Sequence, residues 1–223
     1  MTVRTALITG ASRGIGKAIR EAFEASGIAV LAPGRTEMDL SDARSIAAYL
    51  DSLGSRQIDI LINNAGINPL GGISEITDED IRSTIAVNLE APLFLMRTLV
   101  PRMEKNGWGR VVNISSIWSE VSKPRRIVYS STKAGLSAAT RTIAVEVASH
   151  GVLVNAVAPG YTNTELTRQN NPPDVLAAIE QTIPQGRLAE PREIAELVLF
   201  LCSDRNSYIT GQTIFIDGGF TCQ

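Results

Sequence analysis

One histidine, His150, and two cysteines, Cys202 and Cys222, are all that 223 residues offer of imidazole and thiol. With no CxxC pair and no cluster of these ligands, a zinc site of ordinary spacing and a disulfide framework are both excluded, and no metal is expected. An excess of one charge is missing too: 21 Lys and Arg stand against 23 Asp and Glu, a formal net charge of −2. That balance gives no field for wrapping nucleic acid or lying on an anionic membrane. No apolar run approaches the roughly eighteen residues of a membrane span, and the opening MTVRTALITG reaches glycine too soon for a secretory signal. Repeats and low-complexity tracts are absent. The expectation is a cytoplasmic protein with a small-molecule partner.

What is present is a 44% hydrophobic content in a chain of a length that suits one domain, 1–223. Short apolar runs recur at Thr5 to Ile8, Ala29 to Ala32, Ile58 to Ile62, Arg110 to Ile114, Val152 to Val157 and Thr213 to Ile216. Continuous runs of this length suit strands buried on both faces. Helix-length segments lie between them: Gly16 to Ala25, Ala43 to Leu53, Asp78 to Met103, Tyr129 to Ser149 and Pro191 to Cys202. The alternation predicts an α/β fold, a doubly wound parallel sheet of six to seven strands with its ligand site beyond the strands' carboxyl ends. The polar stretch from about Asn163 to Pro173 reads as a loop or lid.

The first strand runs into Thr9-Gly10-Ala11-Ser12-Arg13-Gly14-Ile15-Gly16, and a helix follows at once. Glycines there let the backbone turn tightly and approach a pyrophosphate that the helix N-terminus stabilises. The spacing is GxxxGxG, so the familiar GxGxxG fingerprint is not matched. The second strand ends Ala32-Pro33-Gly34-Arg35, without the carboxylate that would bind ribose hydroxyls and repel a 2′-phosphate. Arg35 and Arg13 suit such a phosphate, which favours NADP(H) with NAD(H) possible; the alternative is two solvated surface arginines. Further on, Tyr129-Ser130-Ser131-Thr132-Lys133 places a phenol and an ammonium on one helical face. A neighbouring cation favours the phenolate and lowers the tyrosine pKa toward the range of general acid/base work.

Taken together, these motifs resemble the short-chain dehydrogenase/reductase family over nearly the whole chain. Thr9 to Gly16 matches its TGxxxGxG, Asn63-Asn64-Ala65-Gly66 its NNAG, and Val87-Asn88 the place of its helical asparagine. Ser115-Ser116, the YxxxK of Tyr129 and Lys133, Pro159-Gly160 and Asp217-Gly218-Gly219 follow in the family's order. Within the family the chain is most similar to bacterial 3-oxoacyl-acyl-carrier-protein reductases and their carbonyl-reductase relatives. The resemblance implies a Rossmann-like fold and hydride exchange between a nicotinamide and a carbonyl or secondary alcohol. Tyr129 is then the acid/base, and Ser116, thirteen residues before it, bonds the reacting oxygen. Lys133 tunes Tyr129 and holds the nicotinamide ribose, and Asn88 holds a relay water. The implied cofactor contacts are Gly10, Ser12, Arg13, Gly14, Ile15 and Gly16 at the pyrophosphate, with Asn63, Ala65 and Gly66 on the adenosine side. Pro159, Gly160, Thr162 and Thr164 lie at the nicotinamide, with transfer of the pro-S hydride. A homotetramer or dimer is implied as well, with the helices of Asn88 and Tyr129 as candidate interfaces.

One departure from the family stands out. Between Arg35 and Met38-Asp39-Leu40-Ser41-Asp42 roughly twenty-five residues are missing, so the sheet is expected to be a strand short and the adenosine pocket more open. Asp39 resembles the family's adenine-side aspartate, with Leu40 beside it. On the substrate side, Trp118 and Tyr161 are candidate pocket residues under a mobile lid from Tyr161 to Pro184. Arg125-Arg126 either attract an anionic substrate or form a solvated loop or oligomer contact. An NAD(H)-dependent alcohol dehydrogenase and a nucleotide-binding sensor without turnover are the competing readings.

Overall fold

The computed structural model describes residues 3–223, and within them all six apolar runs become strands. These are β1 (Thr5–Ile8), β2 (Ala29–Leu31), β3 (Ile60–Asn63), β4 (Gly109–Ile114), β5 (Val152–Pro159) and β6 (Thr213–Ile216). They form one wholly parallel sheet in the order β2-β1-β3-β4-β5-β6. Parallel neighbours cannot be joined by a tight turn, so helices supply the crossovers: α1 (Gly14–Ala25), α2 (Ala43–Ser52), α3 (Asp78–Ile85), α4 (Ala91–Lys105), α5 (Ile127–Val147) and α8 (Pro191–Cys202). Two further helices, α6 (Glu165–Asn170) and α7 (Pro173–Thr182), lie between β5 and α8.

The alternation of side chains along each strand divides the core into two layers. Leu7, Leu61, Val111 and Val154 face α2, α4 and α5, while Ala6, Ile8, Ile60, Ile62 and Val112 face α1 and α8. Each fully buried leucine or isoleucine in these layers contributes about 1.5–3 kcal/mol through area removed from water. Because β2 and β3 pair on opposite sides of β1, the order of the sheet reverses there, and a crevice opens at the carboxyl ends of β1 and β3.

Six strands form, and the chain between β2 and α2 holds no strand of its own. Glu37 accepts the Gly34 backbone N–H at 2.8 Å to make a tight turn, Met38 drops into the core beside α2, and Asp42 caps α2 by accepting the Arg44 N–H. β2 thus becomes an edge of three residues, short enough to offer little to a stray strand. The segment read as a loop from Asn163 to Pro173 instead carries all of α6 and the first residue of α7. Thr164 caps α6, Pro173 opens α7, and Ile179 and Ile183 pin α7 against Leu188. Its apolar stripe is too thin to be seen against the polar residues around it. The long helix expected from Asp78 to Met103 is broken by a π turn at Ala86–Glu90. Among the described residues no helix is long and apolar enough to cross a membrane.

Candidate active site

At the mouth of β1 the chain turns through Gly10 in the left-handed region (φ 65°). A β-carbon there would lie 2.9 Å from the Ala65 Cα, and one at Gly16 would lie 2.3 Å from the Gly10 carbonyl oxygen, so neither position tolerates a side chain. Thr9 Oγ1 accepts the backbone N–H groups of Asn64 and Ala65 at 3.0 and 3.1 Å. The Asn64 amide in turn donates to the carbonyls of Thr9 and Gly10, both at 3.0 Å. The loops after β1 and β3 are therefore laced together into one wall. Behind that wall α1 starts with no side-chain cap from Arg13 and no acid in its first turn, which leaves amide donors and the positive dipole end for an anion. A backbone cradle closed to β-carbons and a bare helix N-terminus are the donor set that a dinucleotide pyrophosphate requires, so the residues present fit that cofactor. The cleft they border measures about 640 Å³.

The other end of the cleft is built by β4 and α5. Ser115 is consumed by the fold, its hydroxyl bonding the Lys133 carbonyl at 3.1 Å and the Ser137 hydroxyl at 2.9 Å. Ser116 caps a short turn by accepting the Trp118 N–H at 3.3 Å, and it lines the cleft with its hydroxyl bonded to the Tyr129 side chain. Lys133 is 3% exposed, and its Nζ donates to the Ile114 carbonyl at 2.7 Å. Burial pulls its pKa down to about 8. For Tyr129 the outcome departs from the lowered pKa expected of a lysine neighbour: desolvation of the phenol raises its pKa above the usual value. The groups that draw it back are the Ser116 hydroxyl and the Arg126 charge, while the Lys133 ammonium stands 5.6 Å from the ring centre.

Asn88 sits in the π turn, fully buried. Its side-chain oxygen accepts the Ile67 N–H and its amide donates to the Ile67 carbonyl, both at 2.9 Å. It lies under Gly66, where a β-carbon would come within 3.3 Å of Asn88 Oδ1 and 3.5 Å of Lys133 Nζ. Asn88 is thus behind the cleft wall and not on it.

The cleft brings together Gly10, Ser12, Arg13, Gly14, Ile15, Gly16, Ala65, Gly66, Ser116, Trp118, Tyr129, Lys133, Pro159, Gly160, Tyr161, Thr162 and Thr164. Asn63 is not among them. As the last residue of β3 it turns into the sheet and donates to Asn113 at 2.8 Å, and its neighbour Asn64 takes the place at the wall. Strand alternation across NNAG is the signal that separates the two. Arg35, Asp39 and Leu40 also lie outside the cleft lining: Arg35 is exposed and paired with Asp39 at 3.2 Å, and Leu40 packs on the core. Asp39 further accepts the Ser41 hydroxyl and N–H at 2.6 and 2.9 Å, and these bonds hold its carboxyl below the usual range. Arg13 pairs with Glu165 at 3.1 Å. Thr164, expected at the nicotinamide, spends its hydroxyl capping α6. His150 lies past the end of α5, paired with Glu104, and Cys222 is exposed.

Comparison with known proteins agrees with this geometry. A family model described as Enoyl-(Acyl carrier protein) reductase matches residues 32–221. The 3-oxoacyl-acyl-carrier-protein reductase FabG of Vibrio harveyi is 37% identical over 97% of this chain and 96% of its own length. Among solved structures, a protein from Beutenbergia cavernae described as an NAD(P)-dependent gluconate 5-dehydrogenase, with bound NADP, is 35% identical with a TM-score of 0.94, covering 99% of this chain and 97% of its own. A 4-hydroxyisoleucine dehydrogenase mutant complexed with NADH and succinate is 29% identical at a TM-score of 0.94, with 99% of each chain covered. By its parallel sheet, its glycine cradle and these full-length similarities, the chain belongs to the short-chain dehydrogenase/reductase family of oxidoreductases.

Proposed function

We propose that this protein, acting as one nucleotide-binding domain, interconverts a carbonyl and a secondary alcohol with NADP(H) as the preferred cofactor and Tyr129 as the acid/base. The observation that carries the reading is the meeting of Ser116, Tyr129 and Lys133 at one end of a cleft whose other end is the glycine cradle. When bound, the nicotinamide supplies or accepts the hydride at the reacting carbon. Tyr129 Oη gives a proton to the substrate oxygen in reduction and takes it back in oxidation. Ser116 Oγ donates a hydrogen bond to the same oxygen, so charge developing there is stabilised by a preorganised donor. Lys133 keeps one N–H on Ile114 and has two left for a ribose hydroxyl and the tyrosine side. With the Asn88 amide committed to Ile67, a relay water is held by backbone, and a π turn is a place where a carbonyl goes spare.

Preference for NADP(H) rests on two exposed arginines. Arg35 and Arg13 each hold a surface carboxylate in a pair worth at most about 1 kcal/mol, which a 2′-phosphate displaces through stronger charge-assisted bonds. The Beutenbergia relative's bound NADP supports this. The Arg35–Asp39 pair is the observation favouring a second reading, an NAD(H)-dependent alcohol dehydrogenase, and the 4-hydroxyisoleucine enzyme with NADH supports that one. A cytoplasmic homodimer or homotetramer completes the proposal, supported by exposed Leu93 on α4 and Val145 on α5, the helices expected to pair.

The test is oxidation of NADPH and NADH with a panel of 3-oxoacyl thioesters, keto sugars, oxo acids and aldehydes, run beside Tyr129→Phe. The expected result is NADPH-favoured turnover that falls about 10²- to 10⁴-fold in the mutant while its cofactor affinity stays within about threefold. Equal turnover in both proteins refutes the acid/base role.

A further inference from the structure

Two adjacent arginines precede α5, and the backbone sends them to opposite sides. Arg125 is the one non-glycine residue among the described residues in the left-handed region (φ 68°). Its side chain is exposed and held by Glu75 at 2.6 Å, and its carbonyl accepts the Gly71 N–H. The next residue, Arg126, goes inward. It is 7% exposed, lines the cleft with Ser116 and Tyr129, and has its guanidinium carbon 5.4 Å from the centre of the Trp118 ring.

Arg126 has no counter-ion among the described residues. Its Nε is buried without a partner, and it belongs to none of their ion pairs. A guanidinium cannot shed its proton to escape burial, so a buried one with nothing to bind is strongly unfavourable. The cleft's own carboxylates are engaged elsewhere: Asp80 in the capping box of α3 with Thr77, and Glu165 with Arg13. Lys123 adds a second cation nearby, its Nζ bonded to the Tyr161 hydroxyl at 2.9 Å, and Tyr161 meets Trp118 edge to face at 5.9 Å.

Resting on the oxidoreductase reading above, we propose that Arg126 anchors a substrate carboxylate, so that the substrate is a short hydroxy or oxo acid. Arg126 is the N-cap residue just ahead of α5 and Tyr129 is the third residue of that helix, and both line the same end of the cleft. A carboxylate on Arg126 therefore lies only a few bonds from the carbon whose oxygen meets Tyr129. The Arg126 charge already acts on the Tyr129 hydroxyl, which agrees with that proximity. The planar fork of the guanidinium matches a carboxylate in two parallel bonds, and the Trp118 ring keeps its face covered. A neutral acyl chain would leave the buried charge unanswered.

The experiment has a binding arm and a turnover arm, each on wild type, Arg126→Gln and Arg126→Lys. In the first, short 2- and 3-hydroxy acids and their methyl esters are titrated into the NADPH-bound protein and read by NADPH fluorescence. In the second, kcat/KM is measured for the acid and ester that bind best. The expected result is an acid-over-ester preference that falls about 10- to 100-fold in Arg126→Gln, in both affinity and kcat/KM, with partial recovery in Arg126→Lys. NADPH affinity and thermal unfolding report whether each variant is folded, and Arg126→Lys keeps the test decisive if the glutamine variant is not. Failure of every carboxylate to bind a protein that binds NADPH overturns the assignment, as does an acid-to-ester ratio that the variants leave unmoved or tighter binding of inorganic phosphate. Failure to bind NADPH at all overturns the oxidoreductase reading instead.

Discussion

Lys133 carries an ammonium into a place where water does not follow, and the consequence is measurable without any substrate. Its ordinary pKa of 10.5 falls to about 8 in the folded chain, and desolvation is the cause. Below pH 8 both folded and unfolded chains hold the proton, and stability does not depend on this group. Between 8 and 10.5 the unfolded chain binds more protons, so stability rises with pH, by 1.36 kcal/mol for each unit of separation, or about 3 kcal/mol in all. The stabilisation is complete above 10.5 and is lost as pH falls through 8. Cys202, whose thiol burial pushes up, acts with the opposite sign above its unfolded pKa of 9.0, but it is the same in wild type and mutant. The assay is urea unfolding of the cofactor-free wild type and Lys133→Met at several pH values from 7 to 10.5. The mutant also loses the bond to Ile114, an offset that stays nearly constant with pH because a neutral amine still donates. The wild-type stability is expected to gain about 3 kcal/mol on the mutant across this window. A difference flat to within about 0.5 kcal/mol means that the ammonium is hydrated in the folded state, and the reasoning from burial fails.

Gly16→Ala puts a methyl group 2.3 Å from the Gly10 carbonyl and 2.4 Å from the Asn64 amide, so the wall must open; NADPH fluorescence titration should show affinity falling by more than about tenfold, and unchanged binding would mean that the cradle is not the cofactor site. Asp39→Asn releases Arg35 and should lower the NADPH KM several-fold, whereas Arg35→Ala should raise it about tenfold, both with little change for NADH. Steady-state kinetics with both cofactors decides this, and equal effects on NADPH and NADH assign Arg35 to general cofactor binding.

Much of the framework was legible because it follows from periodicity. Continuous apolar runs such as Ile60 to Ile62 are what a strand covered on both faces must have, and Gly10 and Gly16 are demanded by contacts with backbone that leave no room for a side chain. The candidate site was legible where a residue's position depends on its place in an element: Tyr129 and Lys133 share a face of α5 and both line the cleft. What stayed hidden depends on contacts across the chain. Asn63 and Asn64 read alike in sequence, and only the end of β3 decides which turns into the sheet. The π turn at Ala86–Glu90 has no compositional mark, and the direction of the Tyr129 shift is a balance between burial and distant groups.

The short link after β2 shows how a single local deletion reaches the site by a physical route. Without a further strand, β2 is the edge, and Arg35 projects into solvent with no sheet beside it. A solvated arginine loses little by changing partners, since its pair with Asp39 is weak and screened. Arg126 is the opposite case, a buried cation on the cleft lining with no counter-ion among the described residues and an Nε without a partner. In the proposed reading, cofactor choice and substrate choice fall to two arginines in opposite surroundings, exposed Arg35 outside the cleft lining and buried Arg126 on it.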